Sequence, residues 1–338
     1  MKKILGILVL LLMLAQAPAF AAGIEVQPTI MSRSNAQDRV WVGTFQLVWN
    51  DFVDKVIHNP VRFREGTPLM VYELNQKTFT TNDLSEDSYY TMVGKVNKNT
   101  KKTIAKAIKK KFRETSDLLD KLDLVPRNDM LIVYAMLKKD FEFKNEFKKL
   151  GKSLFGEEQT AEYFGLEKTR DENVRSGINV LFYNSSKDFA VKLATKGKDE
   201  VYLYKNPSNK AFAYIYADMM KKQRVFNGEK KFTSSDELKV PNIKFFEEKS
   251  FDELTGKRIM GTNLVINQAM ETIKFDMNNK GVKVKSEAAM TVMTTALAPE
   301  EEARMFAFDD TFVIFLKEKG KNSPYLALRV NDIEKFQK

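Results

Sequence analysis

The sequence contains no cysteine and a single histidine, His58, among its 338 residues. Without cysteine no disulfide can form, so the folded chain must be stabilised by its apolar core alone. A cysteine–histidine catalytic pair is excluded, and a serine–histidine–aspartate triad would have to use His58. A histidine-based metal site is excluded as well. We therefore predict no metal and no cofactor, and we interpret His58 as a helix-end residue near the helix dipole.

Sequence motifs of several other enzyme classes are also absent. The sequence has no Gly-x-Ser-x-Gly and no Ser-x-x-Lys motif. Gly151-Lys152-Ser153 lacks the glycine five residues earlier that a phosphate-binding loop needs. Carboxylates are numerous, but the sequence does not say which of them converge, so an exported hydrolase stays open as a third alternative. We predict that the protein is not an enzyme.

No apolar run in the sequence is long enough to cross a membrane. The first run, residues 4–14, follows Lys2 and Lys3 and precedes Ala19-Phe20-Ala21, which fits the small-x-small cleavage rule. This pattern predicts a secretory signal over residues 1–21 and an exported protein, periplasmic or secreted. Repeats and Pro/Gly-rich linkers are lacking, so residues 22–338 are expected to form a single domain.

Helical spacing of apolar residues dominates the first half of the chain, and strand patterns dominate the second half. Helices are predicted over residues 41–58, 101–122, 141–150 and 210–220, with a short helix starting near residue 250. Strands are predicted over residues 130–136, 178–183, 189–193, 200–204 and 238–246, and over most of 264–330. Together these patterns predict a mixed α+β fold, with helices mainly in the first half of the chain and strands mainly in the second half.

The net charge of +10 arises largely from residues 95–113, where every charged residue is basic. Ile104, Ile108 and Phe112 recur at helical spacing, which predicts an amphipathic helix with a basic outer side. The basic surface consists of Lys101, Lys102, Lys106, Lys109, Lys110, Lys111 and Arg113. A solvated helix face explains the pattern, and a site for an acidic polymer or an anionic surface is the alternative. Nucleic acid is not expected, because the helix lacks interleaved aromatic residues.

The segment from Gly281 to Phe312 contains a second informative pattern. Its residues alternate from Val282 onward, so that one face carries Val282, Val284, Ser286 and Ala288 while the other carries Lys283, Lys285, Glu287 and Ala289. Such a period of two predicts a strand with one buried face. A strand that inserts into a sheet and a permanently paired strand satisfy this pattern equally.

The C-terminal segments follow one another in a distinctive order. A Lys-alternating strand is followed by a small-residue segment, an acidic stretch and two closing strands (residues 308–316 and 323–332). This order resembles that of the serpin family. Residues 131–147, 238–254 and 270–281 are similar, in order, to earlier serpin segments. The chain departs from the family in being shorter and in having charged residues in the hinge. It also has Asn279, Thr311 and Leu328 where the family has an acidic residue, a proline and a glycine.

The resemblance implies a serpin-like α+β domain with N-terminal helices packed on mostly antiparallel sheets. It also implies an inhibitor of a serine or cysteine protease, whose cleavable loop inserts into a sheet. Gly281 would be the hinge and residues 282–290 the inserting strand. The bait would lie at Thr294, Thr295, Ala296, Leu297 and Ala298, whose small side chains suit a protease with a small apolar specificity pocket. The alternative is a non-inhibitory binding or structural protein on this scaffold, with the basic helix as its interaction surface.

Overall fold

A computed structural model describes residues 23–126, 130–282 and 303–337. The described residues confirm the predicted α+β class. The helices are α1 (Thr44–Phe52), α2 (Leu69–Leu74), α3 (Thr100–Phe112), α4 (Glu172–Arg175) and α5 (Phe212–Val225). The strands are β1 (Glu25–Gln27), β2 (Arg39–Val42), β3 (Tyr89–Lys95), β4 (Leu131–Leu137), β5 (Phe141–Glu142), β6 (Lys148–Phe155), β7 (Gln159–Leu166), β8 (Ile178–Ser185), β9 (Asp188–Ala194), β10 (Asp199–Lys205), β11 (Glu237–Pro241), β12 (Ile243–Ser250), β13 (Met270–Met277), β14 (Gly281–Val282), β15 (Met305–Ala307), β16 (Phe312–Glu318) and β17 (Leu326–Val330).

The main sheet has the strand order β1-β2-β17-β16-β10-β9-β8. Apart from the parallel pair β1–β2, neighbouring strands are antiparallel. Every residue of β16 and β17 is buried, which explains their nearly continuous apolar sequences. α5 packs on this sheet, where Phe212 meets Phe315 edge to face with ring centres 6.2 Å apart. Residues 312–316 of β16 and 326–328 of β17 belong to the apolar core.

A second sheet has the order β15-β11-β7-β6. β11 pairs in parallel with β15 and antiparallel with β7. β15 follows residues 283–302 in the chain, so this sheet fixes the far end of that segment.

Two antiparallel pairs, β3–β4 and β12–β13, are separate from both of these sheets. The β3–β4 pair has a helix on each side. Ile104, Ile108 and Phe112 of α3 cluster with Ile132 and Tyr134 of β4 on one face. On the other face, β4 contacts α1 and contributes to the main core. The helical spacing recognised in the sequence of α3 is therefore the spacing of its contacts with β4.

The helix predicted over residues 141–150 is wrong, because strands β5 and β6 occupy its two ends. Phe143 and Phe147 pack on each other with ring centres 5.1 Å apart, and each lies 5.8 Å from Phe164 of β7. Phe143 and Phe147 are four residues apart, as on one face of a helix, but here both lie on non-helical chain that packs against β7.

Two other predicted helices have different ends in the structure. The helix predicted over residues 101–122 ends at Phe112, because Arg113 adopts a left-handed conformation with φ 61°. The hydroxyl of Ser116 then accepts hydrogen bonds from the amides of Leu118 and Leu119, at 3.2 and 3.1 Å, in a turn. The helix predicted over residues 41–58 starts only at Thr44, after β2.

The short helix predicted near residue 250 is a single 3-10 turn, Asp252–Leu254. The stretch predicted as mostly strand over residues 264–330 contains β13 to β17, and its residues 283–302 lie outside the described residues. The strands predicted between residues 130 and 204 correspond to β4, β8, β9 and β10, and the helix predicted at residue 210 corresponds to α5. The strand predicted over residues 238–246 contains parts of β11 and β12, which are separated at Asn242.

Candidate functional site

A cavity of about 810 Å³ lies between strands β4 and β13. Every residue of β4 and residues 270–276 of β13 line it, and we call it the gap cavity. α1 also lines it, with Phe45, Val48, Trp49 and Phe52. The chain that follows α3 contributes residues 114–118 and 122–124. The walls of the gap cavity are therefore mainly apolar.

Each of the two strands beside the gap cavity has an unpaired edge. Within the described residues, β4 pairs with β3 alone and β13 with β12 alone. The second edge of each strand borders the gap cavity. Free backbone N–H and C=O groups along a strand edge can pair with a further strand. The geometry can therefore accept extended chain between β4 and β13.

Five acidic residues line the gap cavity, and Glu271 is the buried one among them; the others are Glu114, Asp117, Asp123 and Asp276. Glu271 is buried on the inward face of β13, together with Ile273 and Phe275. Within the described residues, neither of its carboxylate oxygens has a hydrogen-bond partner. Burial raises the pKa of Glu271 to about 8, and the backbone N–H of Phe45 offsets part of this rise without reaching hydrogen-bond geometry. Sequence analysis missed this residue, although strict alternation along β13 already placed Glu271 on the apolar face.

The chain turns sharply after β13 and is held on β5. Asn278 and Gly281 exchange backbone hydrogen bonds of 3.0 and 3.3 Å, and β14 then pairs with β5. A Cβ atom at Gly281 would lie 2.4 Å from the carbonyl oxygen of Phe141 and 2.6 Å from Cα of Glu142. Only glycine permits this approach of the two backbones. The predicted hinge residue is thus a contact point between β14 and β5.

Asn279, which departs from the serpin pattern, has a structural role in the same turn. Its side-chain amide donates to Oε1 of Glu146 at 2.8 Å and to the carbonyl oxygen of Phe147 at 3.3 Å. The amide of Phe147 in turn donates to the carbonyl oxygen of Asn279 at 2.9 Å. A carboxylate at position 279 could not donate to Glu146 and would repel it.

Arg304 fixes the chain on the other side of residues 283–302. Its guanidinium donates to both carboxylate oxygens of the fully buried Asp236, at 3.0 and 2.7 Å. It also donates to the carbonyl oxygens of Glu229 and Lys231, each at 2.6 Å. Burial raises the pKa of Asp236, but the hydrogen bonds from Arg304 and from the backbone of Thr233 outweigh burial and hold that pKa below its usual value. The entry into β15 is therefore firmly anchored.

The structure describes two of the predicted reactive-loop residues, Gly281 and Val282, and places both in β14, buried. The others lie outside the described residues, namely Val284, Ser286, Ala288, Thr294, Thr295, Ala296, Leu297 and Ala298. Their assignment stays a prediction.

The seven side chains of the predicted basic surface are all exposed on or directly after α3. Lys101 forms an ion pair with Asp120. Lys111 donates to the carbonyl oxygen of Glu86 at 2.6 Å, and its ammonium lies 5.5 Å from the centre of the Tyr89 ring. Most of the surface remains directed to solvent, on the side of α3 opposite to the β3–β4 pair.

His58 is exposed and ends the π-helical turn Val53–Ile57 in a left-handed conformation with φ 62°. Its backbone amide donates to the carbonyl oxygen of Val53 at 2.6 Å. Over residues 23–126, 130–282 and 303–337, acidic and histidine side chains form no cluster of three or more that could bind a metal ion. In the same part of the chain, none of the helices has the length and apolar character needed to cross a membrane.

The structure defines an α+β protein in which two strand pairs border a gap. No protein-family model matches the sequence, and no curated protein does so either. Among solved structures, the chain is similar to Serpin48, a highly specific serpin of the insect Tenebrio molitor, with 14% identity and a TM-score of 0.49 over 88% of this chain and 92% of that chain. It is also similar to thyroxine-binding globulin in complex with thyroxine, with 12% identity and a TM-score of 0.41 over 74% of this chain and 77% of that chain.

Proposed function

We propose that the protein is an exported, serpin-like inhibitor of a serine or cysteine protease. In this proposal, cleavage of the segment between β14 and β15 releases residues 282–290 to insert as a strand between β4 and β13. The observation that carries the proposal is the pair of unpaired strand edges that border the gap cavity. The signal over residues 1–21 and the single domain over residues 22–338 are part of the same proposal.

Insertion would be driven by backbone pairing and by burial. A strand between β4 and β13 would pair with both edges, and each intramolecular hydrogen bond contributes about 1 kcal/mol net. Inward-facing Val282, Val284 and Ala288 would bury further apolar area in the gap cavity. The competing contact is short, since β14 pairs with β5 over Gly281 and Val282 alone. These terms together favour insertion once the segment is cut.

The anchored ends of the segment also support the proposal. Arg304 holds the downstream end on Asp236, while the upstream end leaves β13 through the turn at Gly281. Before cleavage both ends are tied to the fold. A cut within residues 294–302 would leave the upstream part attached next to the gap cavity and free to move into it.

Limited proteolysis with an elastase-type protease tests this proposal. We expect a cut within residues 294–302 and an increase in Tm of about 10 °C or more in the nicked product, because a gain of several kcal/mol shifts the Tm of a chain of this size by that amount. The matched variant is Ser286→Pro, since proline cannot join a central strand. That variant should be cut equally fast without the increase in Tm. A cut in the unaltered protein that leaves Tm unchanged would contradict insertion.

A second candidate function is non-inhibitory binding of an acidic polymer or an anionic surface through α3. The observation that favours it is the exposure of all seven basic side chains on this helix. Here the inhibitor segment would have no role, and the gap would be a permanent feature of the scaffold.

Binding to immobilised dextran sulfate tests the second candidate. The variant Lys102→Glu/Lys106→Glu/Lys109→Glu should elute at much lower salt than the unaltered protein, because binding to a polyanion depends on clustered charge. The control Lys187→Glu/Lys230→Glu/Lys319→Glu changes the net charge equally at exposed sites elsewhere. Equal elution of the two variants would show that only net charge matters, and would contradict a specific surface on α3.

A further inference from the structure

The turn that follows β13 has the geometry of a β-hairpin. Asn278 and Gly281 exchange two backbone hydrogen bonds, of 3.0 and 3.3 Å, and form an antiparallel bridge around the two turn residues 279–280. In an antiparallel pair, one bridge fixes the register of all pairs that follow it. A strand that continues along β13 from Gly281 therefore places Val282 opposite Met277.

This register agrees with the side-chain alternation of both segments. Residues 282, 284, 286 and 288 would lie opposite residues 277, 275, 273 and 271, which are the buried residues of β13. The first set is Val282, Val284, Ser286 and Ala288, the face without charge. A register that differs by one residue would turn the charged face toward the core. The hairpin and the alternation thus select the same register independently.

We propose that this hairpin register controls insertion, because it brings Lys283 opposite Asp276 and Lys285 opposite Lys274. The proposal rests on the proposed inhibitor function and names the residue that draws the strand into the gap cavity, Lys283. Asp276 and Lys274 both line the gap cavity. Opposite charges that face each other across an antiparallel pair stabilise it, and like charges destabilise it. The first lysine is therefore attracted by β13 and the second is repelled.

Asp276 can accept the ammonium group of Lys283 in addition to its present neighbours. The side-chain amide of Asn278 donates to its Oδ1 at 3.2 Å. Lys244 of β12 lies opposite Asp276 in register. A carboxylate has about four acceptor positions, so Lys283 would share Asp276 with these two groups.

The neighbours of Lys274 on β12 do not offset a second lysine. In register, Lys274 lies opposite Phe246, which carries no charge. Glu248, which is diagonal to Lys274, forms an ion pair with Lys121. The repulsion between Lys274 and Lys285 therefore remains.

β4, on the other side of the gap cavity, contributes no charge to the face on which these lysines would lie. That face, which packs toward α3, has the residues Ile132, Tyr134 and Met136. The two lysines just beyond β4 already have carboxylate partners, Lys138 with Glu114 and Lys139 with Asp199 and Glu318.

Two further acidic residues, Asp117 and Asp123, line the gap cavity from the chain that follows α3. The backbone amide of Asp123 donates to Oε1 of Gln268 at 2.7 Å, ahead of the first residue of β13. The hairpin lies beyond the last residue of β13, at the opposite end of the strand. The charges on β13 itself therefore decide how the two lysines are received.

Charge reversal in the elastase-cut protein tests the proposal. Lys283→Glu and Lys285→Glu change the net charge equally, but we expect opposite results. The increase in Tm on cleavage should be smaller in Lys283→Glu and larger in Lys285→Glu than in the unaltered protein, by about 1–3 °C each. Adding Asp276→Lys to Lys283→Glu should restore the increase, because the pair is formed again with its charges exchanged.

Introduced cysteines report the register directly, since the chain has none of its own. Ser286→Cys/Ile273→Cys places two thiols directly opposite each other in the proposed register, within the range of a disulfide. The matched control, Ala288→Cys/Ile273→Cys, keeps the same partner on β13 and moves the other thiol by two residues. After the cut, in oxidised glutathione, the first pair should form its disulfide at least about tenfold faster than the control.

The outcomes separate the register from insertion itself. Equal changes of Tm in Lys283→Glu and Lys285→Glu, no rescue by Asp276→Lys, or equal disulfide formation in the two cysteine variants would overturn the proposed register. In each of these cases, an increase in Tm on cleavage of the unaltered protein would still support insertion. If the cut leaves the Tm of the unaltered protein unchanged and neither cysteine pair closes, the inhibitor function fails and the register fails with it.

Discussion

At the scale of single residues, Lys139 determines how β4 is attached to the main sheet. Its ammonium forms ion pairs with Asp199 of β10, at 2.9 Å, and with Glu318 of β16. Tyr325 donates to Asp199 at 2.9 Å, and the backbone amide of Ser85 donates to Glu318 at 2.9–3.0 Å. Burial raises the pKa of Glu318, but Lys139 and Ser85 outweigh burial and hold that pKa below its usual value. One cation therefore satisfies two buried carboxylates just beyond the end of β4.

Replacement of Lys139 should destabilise the protein strongly. We expect Lys139→Met to lower the free energy of unfolding by about 3–5 kcal/mol at pH 7, because it leaves buried carboxylates without compensation. The loss should shrink as pH falls through the lowered pKa of Glu318, since protonation removes the uncompensated charge. Urea unfolding at pH 7 and pH 3.5 measures both effects. The neighbour Lys138, which pairs with Glu114 at 3.0 Å on a more exposed site, is the control, and Lys138→Met should cost less than about 1 kcal/mol. Equal losses in the two variants would contradict this account.

Glu271 gives the opposite dependence on pH. Its pKa is raised to about 8 in the folded protein and returns to about 4.3 on unfolding. The folded protein therefore binds the extra proton between these values, and its stability falls as pH rises from about 5 to 8, by up to ~1.4 kcal/mol per pH unit. Glu271→Gln should remove this slope and be a few kcal/mol more stable than the unaltered protein at pH 8. Urea unfolding from pH 5 to 8 measures it, with Glu253→Gln as the control. If the pH dependence of stability persists in Glu271→Gln, titratable groups other than Glu271 cause it.

At the scale of elements, the predictability of this fold depended on whether packing was local. The helix α3 follows from Ile104, Ile108 and Phe112 because all three contact one strand pair. Residues 141–150 were mistaken for a helix because Phe143 and Phe147 contact β7, a partner that no spacing within the segment reveals. The sequence does not show that β4 lies opposite β13, because the two strands are far apart in the chain and both pack on α1. The burial of Glu271 could have been predicted from the sequence, since the period-two alternation of β13 places it on the apolar face.

The short pairing of β14 with β5 predicts how the hinge responds to substitution. Gly281→Ala would bring a Cβ within 2.4 Å of the Phe141 carbonyl oxygen, so β14 must separate from β5. We expect a loss of about 1–3 kcal/mol in unfolding free energy, and faster elastase cleavage after residue 282. Gly197→Ala is the matched control, because a Cβ there meets no atom within 4 Å. If both variants unfold at the same urea concentration and are cut at the same rate, β14 is not held on β5 by this contact.

At the scale of the whole molecule, stability should be unevenly distributed. The strands β16 and β17 are buried along their full length in the centre of the main sheet. β4 and β13 each have one paired and one unpaired edge within the described residues. Amide hydrogens in fully paired core strands exchange only on global unfolding, whereas those at free edges exchange through local motion. The protein therefore contains a fixed part and a part whose protection depends on what occupies the gap cavity.

Hydrogen exchange followed by mass spectrometry separates these parts and connects them with function. In the intact protein, we expect peptides from β16 and β17 to be protected for hours and peptides from β4 and β13 to exchange much faster. After elastase cleavage, insertion of residues 282–290 would pair both free edges, so β4 and β13 should slow by at least tenfold, while β16 and β17 change little because they are already fully paired. The Ser286→Pro variant should keep the fast exchange after the same cut. Protection of β4 and β13 before any cleavage would mean that the gap is already filled by a strand, and insertion could then not occur there.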